Sequence, residues 1–354
     1  MNQLPRATDV FVVGGGPAGL AAAIAARRKG FDVILSDSAV PPVDKACGEG
    51  IMPDGLLAAR SLGLDLSAVP GHVFRGVRFR DEGAGVQALF PRGEGRGIRR
   101  IELHRMMVDA AIEAGVRLVW GARVAGLSSE GVRVGDRLVR ARWIVGADGS
   151  HSQVRGWAGL DASNGKLRRY GFRRHYRVAD PGDFMQIHWS DHCQLYITPV
   201  APQEICVVVI SRDQKLRLAG ALSAFPEVRE RLNCAEPLNL ERGGVTISRT
   251  LRTVTQGNVA LVGDASGSVD AITGDGICLL FQHALALADC LEQGSLQEYP
   301  AIHRRIGRRA EFMSRLMLML DGRRTLRRAT MRALQFEPRL FARLLALHVG
   351  AYSL

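Results

Sequence analysis

Residues 9–37 read DVFVVGGGPAGLAAAIAARRKGFDVILSD. The apolar run at 9–13 is bounded by glycines and reads as a buried parallel strand. Pro17–Lys29 is Ala-rich with no internal breaker and reads as a helix, and Phe31–Ser36 is a second strand. The segment is therefore a βαβ unit whose first turn carries G-x-G-x-x-G. Gly14 permits the tight turn, Gly16 lets a pyrophosphate approach the backbone, and Gly19 allows the helix to pack closely on the strand. Pro17 and Ala18 open the helix, whose N-terminus offers free N–H groups and a partial positive charge to phosphates. Asp37 ends the second strand, where a carboxylate accepts hydrogen bonds from a ribose. Strand, helix, acid and spacing agree on a dinucleotide.

Two later segments repeat one pattern. Trp143–Val145 is an apolar strand followed by Gly146-Ala147-Asp148-Gly149-Ser150, and Val259–Val262 is another followed by Gly263-Asp264-Ala265. Each places a carboxylate at the rim of a sheet. Between them, Gly171–Ser211 is β-rich, with alternation in Phe184–Trp189, Gln194–Thr198 and Ile205–Ile210. Ile101–Ala114 and Ile277–Gln293 read as helices and Val116–Trp120 as a strand. The expected fold is α/β: a discontinuous dinucleotide-binding domain, an inserted β-rich domain and a C-terminal helical region. The boundaries are 1–75, 98–165 and 245–295 for the discontinuous cofactor domain, 76–97 and 166–244 for the β-rich domain, and 296–354 for the basic C-terminal helices.

The 354 residues suit two domains, and 47% hydrophobic with 23% charged residues exclude a disordered chain. No apolar run approaches the ~20 residues that cross a bilayer. The opening residues MNQLPRATDV lack the apolar stretch of a signal peptide, so a cytoplasmic protein is expected. Six cysteines without a CxxC pair suggest buried thiols and no metal site. Of the net charge of +12, residues 301–354 supply 12 Arg against Glu311, Asp321 and Glu337, or +9. These residues alternate with Leu, Met and Phe, so amphipathic helices with Arg on the outer face are expected. Peripheral contact with anionic lipid follows as an expectation. No recognition motif accompanies the charge, so nucleic acid is not an expected partner.

The N-terminal fingerprint, GADGSHSQVR (146–155) and GDASGSVDAITGDGI (263–277) together resemble the flavoprotein group of the aromatic hydroxylases, or class A flavin monooxygenases, and the geranylgeranyl reductases. The resemblance implies FAD, a Rossmann-like FAD-binding domain of the glutathione-reductase type, and an inserted β-sheet that serves as the substrate domain. It implies that Asp37, where Glu is more usual, holds the adenosine ribose, and that Asp264 holds the ribityl chain or ribose. Gly263 lies in the same loop. Gly274 and Gly276 would let the backbone pass the flavin ring, with the helix at Ile277 aiming N–H groups at it. Arg100 occupies a place that commonly contacts FAD. Asp148 and Arg155 match a segment associated with FAD and pyridine nucleotide, which favours NAD(P)H as electron donor. Cys47 and Gly48, in Lys45-Ala46-Cys47-Gly48-Glu49-Gly50, match a loop that reaches the flavin in the reductases.

On the substrate side, His188, Tyr196 and Thr198 are expected to face one cavity across the flavin, with His175 and Tyr176 as further candidates. His188 or His175 would be the base for a phenol. His188, Tyr196 and Cys47 are the candidate catalytic residues. The Trp-x-Trp-x-Ile-Pro signature of flavin halogenases is absent, since Trp189 and Tyr196-Ile197-Thr198-Pro199 alone approach it. The favoured expectation is a monooxygenase of secondary metabolism that hydroxylates a lipophilic or aromatic small molecule with FAD, NAD(P)H and O₂. The alternatives are a reductase that saturates C=C bonds, and a non-catalytic FAD-binding or membrane-attached protein.

Overall fold

The computed structural model describes residues 4–350. Residues 1–3 and 351–354, the outer ends of the expected first and last segments, lie outside the described residues.

A first sheet of eight strands is parallel at its centre. Val259–Leu261, Arg137–Gly146, Ala7–Val13, Val33–Asp37 and Arg117–Trp120 lie side by side in that order. Its central strands are apolar where they are buried. Val10 to Val12, Ile34, Leu35, Ile144, Val145 and Leu261 are all buried. Pro17–Arg28, Gly276–Glu292 and Arg100–Glu113 pack together on this core. The register aligns the strand ends. Val13 pairs with both Ser36 and Gly146, and Gly146 pairs with Leu261. Every Gly/Asp loop read from the sequence therefore leaves the same carboxyl edge, where open α/β sheets bind ligands.

The second sheet, also of eight strands, is mostly antiparallel and is built around Ser163–Arg177, Glu204–Ser211, Cys193–Ala201 and Phe184–Trp189. Gly76–Asp81 pairs parallel to Phe184–Trp189 and carries Ala84–Leu89 at the edge. Arg242–Leu251 straddles the expected boundary at 245. It pairs along its length with Ser163–Arg177, so its backbone hydrogen bonds belong to the second sheet. Gly50–Ile51, His72–Phe74 and Gly95–Gly97 form a small third sheet.

Each face of the second sheet has its own core. Met185, Ile187, Trp189, Tyr196, Cys206, Val208 and Ile210 point toward the C-terminal helices and Ile272. Phe172, Tyr176, Leu195, Ile197, Val207 and Val209 point the other way, under Leu218, Phe225, Val228 and Leu232.

The C-terminal helices are Tyr299–Asp321, Arg324–Phe336 and Pro338–His348. Their arginines do not all face outward, which corrects the expectation. Arg327 is fully buried, with Nε 3.1 Å from Asp81 and Nη2 2.8 Å from Asp191. Arg324 bonds Asp191 at 2.9 Å and Glu82 at 3.2 Å, and Arg328 pairs with Glu82. The second sheet carries these acids at its turns, so part of the basic run is an ion-paired seam. No described helix is long and apolar enough to cross a membrane.

Candidate functional site

A cavity of about 770 Å³ runs from the carboxyl edge of the first sheet to the apolar face of the second. At its first-sheet end the glycines have separate reasons. Gly14 has φ +110°, and a Cβ there would lie 2.4 Å from the Ala147 carbonyl oxygen. A Cβ on Gly19 would lie 1.8 Å from the Gly14 oxygen, so Gly19 serves packing and does not line the cavity. A Cβ on Gly16 would meet nothing within 4 Å and would project into open space. Gly16, Pro17 and Ala18 start the first helix at the cavity wall. Unpaired N–H groups and the helix dipole thus face the space that a pyrophosphate needs.

The Asp37 carboxylate accepts from Gly15 N at 2.6 Å and Ala39 N at 2.8 Å, and the residue lines the cavity. Its spare lone pairs could take a ribose hydroxyl. Asp264 also lines the cavity, half-exposed, with Lys45 Nζ 3.5 Å away. Gly263 has φ +57°, and a Cβ there would come within 2.5 Å of the Ala18 Cβ.

Asp148 reaches the wall, but its carboxylate caps a short helix. It accepts from the Ser152 hydroxyl, from Gln153 N at 2.7 Å and from Val154 N at 3.1 Å. Arg155 is buried and spent internally, on Asp161, on the Ala265 oxygen at 3.1 Å and on the Ser150 oxygen at 3.0 Å. It stitches two edge loops together, with each of its three nitrogens engaged inside the protein.

The middle of the cavity is walled by Gly274 (φ +74°), Gly276 and Ile277 on one side. There the helix Gly276–Glu292 points its N-terminus at the cavity, as the first helix does from the far end. Opposite are Cys47, Gly48 and Arg100. Arg100 is buried and lines the cavity, and among the described residues its Nη1 has no hydrogen-bond partner. Burial lowers its pKa. Burial raises the Cys47 pKa, against the pull of Arg100, so the thiol stays protonated.

Sequence reasoning missed what holds this loop. Glu49 is buried with φ +61°. Its carboxylate accepts from Arg100 N at 3.0 Å, Arg173 Nη1 at 2.7 Å and His175 Nε2 at 2.6 Å. Asn239 accepts from His175 N through Oδ1 and turns its Nδ2 to the ring Nδ1 at 2.6 Å. The Nε2 proton therefore goes to Glu49. Arg173 also binds Asp44 at 2.8 Å. Glu49 N donates to Cys47 Sγ at 3.4 Å, which ties the thiol to the network. His175 is thus locked in an ion-pair cluster and is not free to act as a base. His104 was also missed. It is fully buried and braces the fingerprint loop through Nε2 and the Gly15 oxygen at 2.9 Å.

The second-sheet residues divide. Tyr196 lines the cavity, but its hydroxyl donates to the Ile272 oxygen at 2.9 Å and burial raises its pKa. Thr198 shares that face and packs beside Gly50 and Gly97. His188 does not share it, which corrects the expectation. Ile187 pairs with Tyr196 and His188 with Leu195, so His188 points to the opposite core. There its ring lies 6.2 Å from Phe225, and burial with Arg80, Arg78 and Arg231 pushes its pKa down to about 4. Tyr176 packs in the same opposite core. Asp270, a further omission, anchors the loop before Gly274. Its carboxylate accepts from Arg169 at 3.0 Å, Ile272 N at 3.0 Å and the Ser248 hydroxyl at 3.1 Å.

The open glycine wall, the two helix N-termini and the orphaned guanidinium fit a dinucleotide along this cavity. Comparison with known proteins agrees. The FAD binding domain family matches residues 7–294. A menaquinone reductase of Mycobacterium tuberculosis strain H37Rv is 28% identical over 348 residues, covering 88% of this chain and 84% of that protein. A digeranylgeranylglycerophospholipid reductase 1 of Methanopyrus kandleri is 30% identical over 294 residues, covering 76% of each. The structure of 2-methyl-3-hydroxypyridine-5-carboxylic acid oxygenase is similar with a TM-score of 0.74 at 22% identity, covering 97% of this chain and 96% of that one. The chain belongs to the FAD binding domain family and is an FAD-dependent oxidoreductase of the group that holds the flavin hydroxylases and the geranylgeranyl reductases.

Proposed function

We propose that the chain reduces carbon–carbon double bonds in a lipophilic, prenyl-type substrate. The observation that carries this reading is the chemistry of the cavity wall beyond the flavin position. Met185, Val208 and Ile210 make it apolar. The groups a phenol hydroxylation would draw on as base are turned away or tied up: His188 in the opposite core, His175 on Glu49, the Tyr196 hydroxyl on Ile272. The reductases among the relatives, named for menaquinone and digeranylgeranylglycerophospholipid, support it.

When bound, FAD supplies the two-electron chemistry. The proposed roles of the chain are binding, exclusion of water and proton supply. Gly14, Gly16, Pro17 and Ala18 hold the pyrophosphate, Asp37 the adenosine ribose, and Asp264 the ribityl chain. Arg100 and the helix at Gly276 oppose negative charge on the ring. The protonated Cys47 thiol, held by Glu49 N, delivers the proton that completes saturation. NAD(P)H is the proposed electron donor; with Asp148 and Arg155 spent inside the protein, its contacts fall to other residues. A lipophilic substrate also suits a membrane surface. Phe336 is 92% exposed and Leu340 half-exposed, beside the exposed Arg332, Arg339 and Arg343.

The test is product mass. Protein reduced without oxygen is given a polyprenyl alcohol, whose only reducible groups are C=C bonds, then the same mixture is run in air. A product two hydrogens heavier in both supports reduction. A product one oxygen heavier, formed only in air, would restore the monooxygenase reading.

A further inference from the structure

Behind the loop Ser266–Asp270 lies a second cavity of about 380 Å³, walled also by the strand Arg242–Leu251 and the helix Tyr299–Asp321. Its lining is cationic. Arg249, Arg252, Arg304 and Arg315 face Glu311 and Asp270. Both acids are engaged, Asp270 with Arg169 and Glu311 with Arg315 at 3.5 Å.

Arg249 is the informative residue. Its side chain is nine-tenths buried, and among the described residues its Nε has no hydrogen-bond partner. Among the described residues its one carboxylate partner is Asp161, at 3.7 Å, and Arg155 holds that same oxygen at 2.7 Å. A buried guanidinium with half a counter-charge is a costly arrangement unless an anion completes it. Arg304 stands exposed at the rim. His303 adds a ring whose Nε2 lies 2.9 Å from the Ser266 hydroxyl.

We propose that this cavity is a phosphate site. It takes the phosphate or diphosphate group of a small anionic molecule or a lipid headgroup, with Arg249 donating from inside and Arg304 from the rim. Arginine's fork of N–H donors suits phosphate oxygens. The backbones of Arg249 and Ser268 exchange hydrogen bonds of 2.9 and 3.0 Å, and Ser268 lines both cavities. This site does not depend on which reaction the flavin performs.

The test is calorimetric titration of the FAD-loaded protein with inorganic pyrophosphate, NADP⁺ and a short-chain phosphatidic acid, against sulfate at equal ionic strength. Saturable binding of at least one phosphate probe, weakened about tenfold in Arg249→Gln and again in Arg304→Gln, is expected. Which probe binds tightest identifies free phosphate, nucleotide or lipid as the source. Arg304 is exposed, so its variant reports on the site even if Arg249→Gln disturbs folding. Absence of saturable binding by every probe, or affinity unchanged in Arg304→Gln, overturns the proposal.

Discussion

The carboxyl edge of the first sheet and the inner face of the second border one cavity and contribute different things to it. The edge contributes backbone: open space at Gly16, left-handed turns at Gly14 and Gly274, and two helix N-termini. The face contributes side chains, and most of their polar atoms are already spent on one another. Glu49, Arg173, His175 and Asn239 form one set, extended by Asp44, and Arg169, Asp270 and Gln194 another, extended by Ser248 and Asp321. The edge is built to bind a cofactor that brings its own hydrogen-bonding groups. The face is built to exclude water and hold loops still.

The largest effect expected from breaking this contrast is at Gly16. Gly16→Val should purify folded and without flavin, because its Cβ enters ligand space with no protein atom within 4 Å. Gly14→Val should instead lose the fold, since φ +110° and the Ala147 oxygen leave it no room. Flavin-to-protein ratio and thermal melting separate the two outcomes. Equal flavin content in Gly16→Val and the native protein would put the phosphates elsewhere.

Next comes Glu49→Ala, which strands Arg173 and His175 in the interior. A loss of about 3–5 kcal/mol of unfolding free energy is expected by denaturant titration. A loss below about 1 kcal/mol would show that the cluster is not a support for the Cys47 loop.

The third effect is acid lability. His188 and His303 are each pushed down to about 4 by burial, from an ordinary value of 6.5. The unfolded chain takes up protons at a pH where these rings stay neutral. Stability is therefore present above about pH 6.5 and falls as the pH drops toward 4, by at most about 1.4 kcal/mol per pH unit for each histidine. His188→Gln should flatten that slope and leave flavin turnover unchanged, as its place in the opposite core requires. A turnover loss in this variant would return His188 to the reaction.

Tyr196→Phe should cost about 1 kcal/mol through the lost bond to Ile272, with flavin content intact. The smallest effect is expected at Phe336→Asp, which should reduce sedimentation with anionic vesicles at low salt without altering turnover. If anionic vesicles bring down no more native protein than neutral ones, the membrane contact is wrong.

The same contrast explains what the sequence could convey. A backbone requirement leaves a local trace, so Gly14, Gly16 and Asp37 are legible within 29 residues. The face residues are fixed by pairing. The sequence suggests that His188 and Tyr196 share a cavity, but the hairpin register puts Ile187 across from Tyr196. A misjudged turn length moves a side chain to the other face. The Glu49 network joins residues 126 positions apart, and only the run CGEG, with a non-glycine residue in a left-handed turn, hints at it. Arg327 reads as solvent-facing because its partners Asp81 and Asp191 lie in distant turns.

The most direct measurement is flavin reoxidation by substrate in the absence of oxygen. Protein loaded with FAD and reduced anaerobically is mixed in a stopped-flow cell with a polyprenyl alcohol, whose only reducible groups are C=C bonds, and the flavin absorbance is followed. Reoxidation that saturates with the polyprenyl alcohol, and slows when Cys47→Ala removes the proposed proton donor, is the predicted result. A flavin that stays reduced until oxygen is admitted would contradict the account.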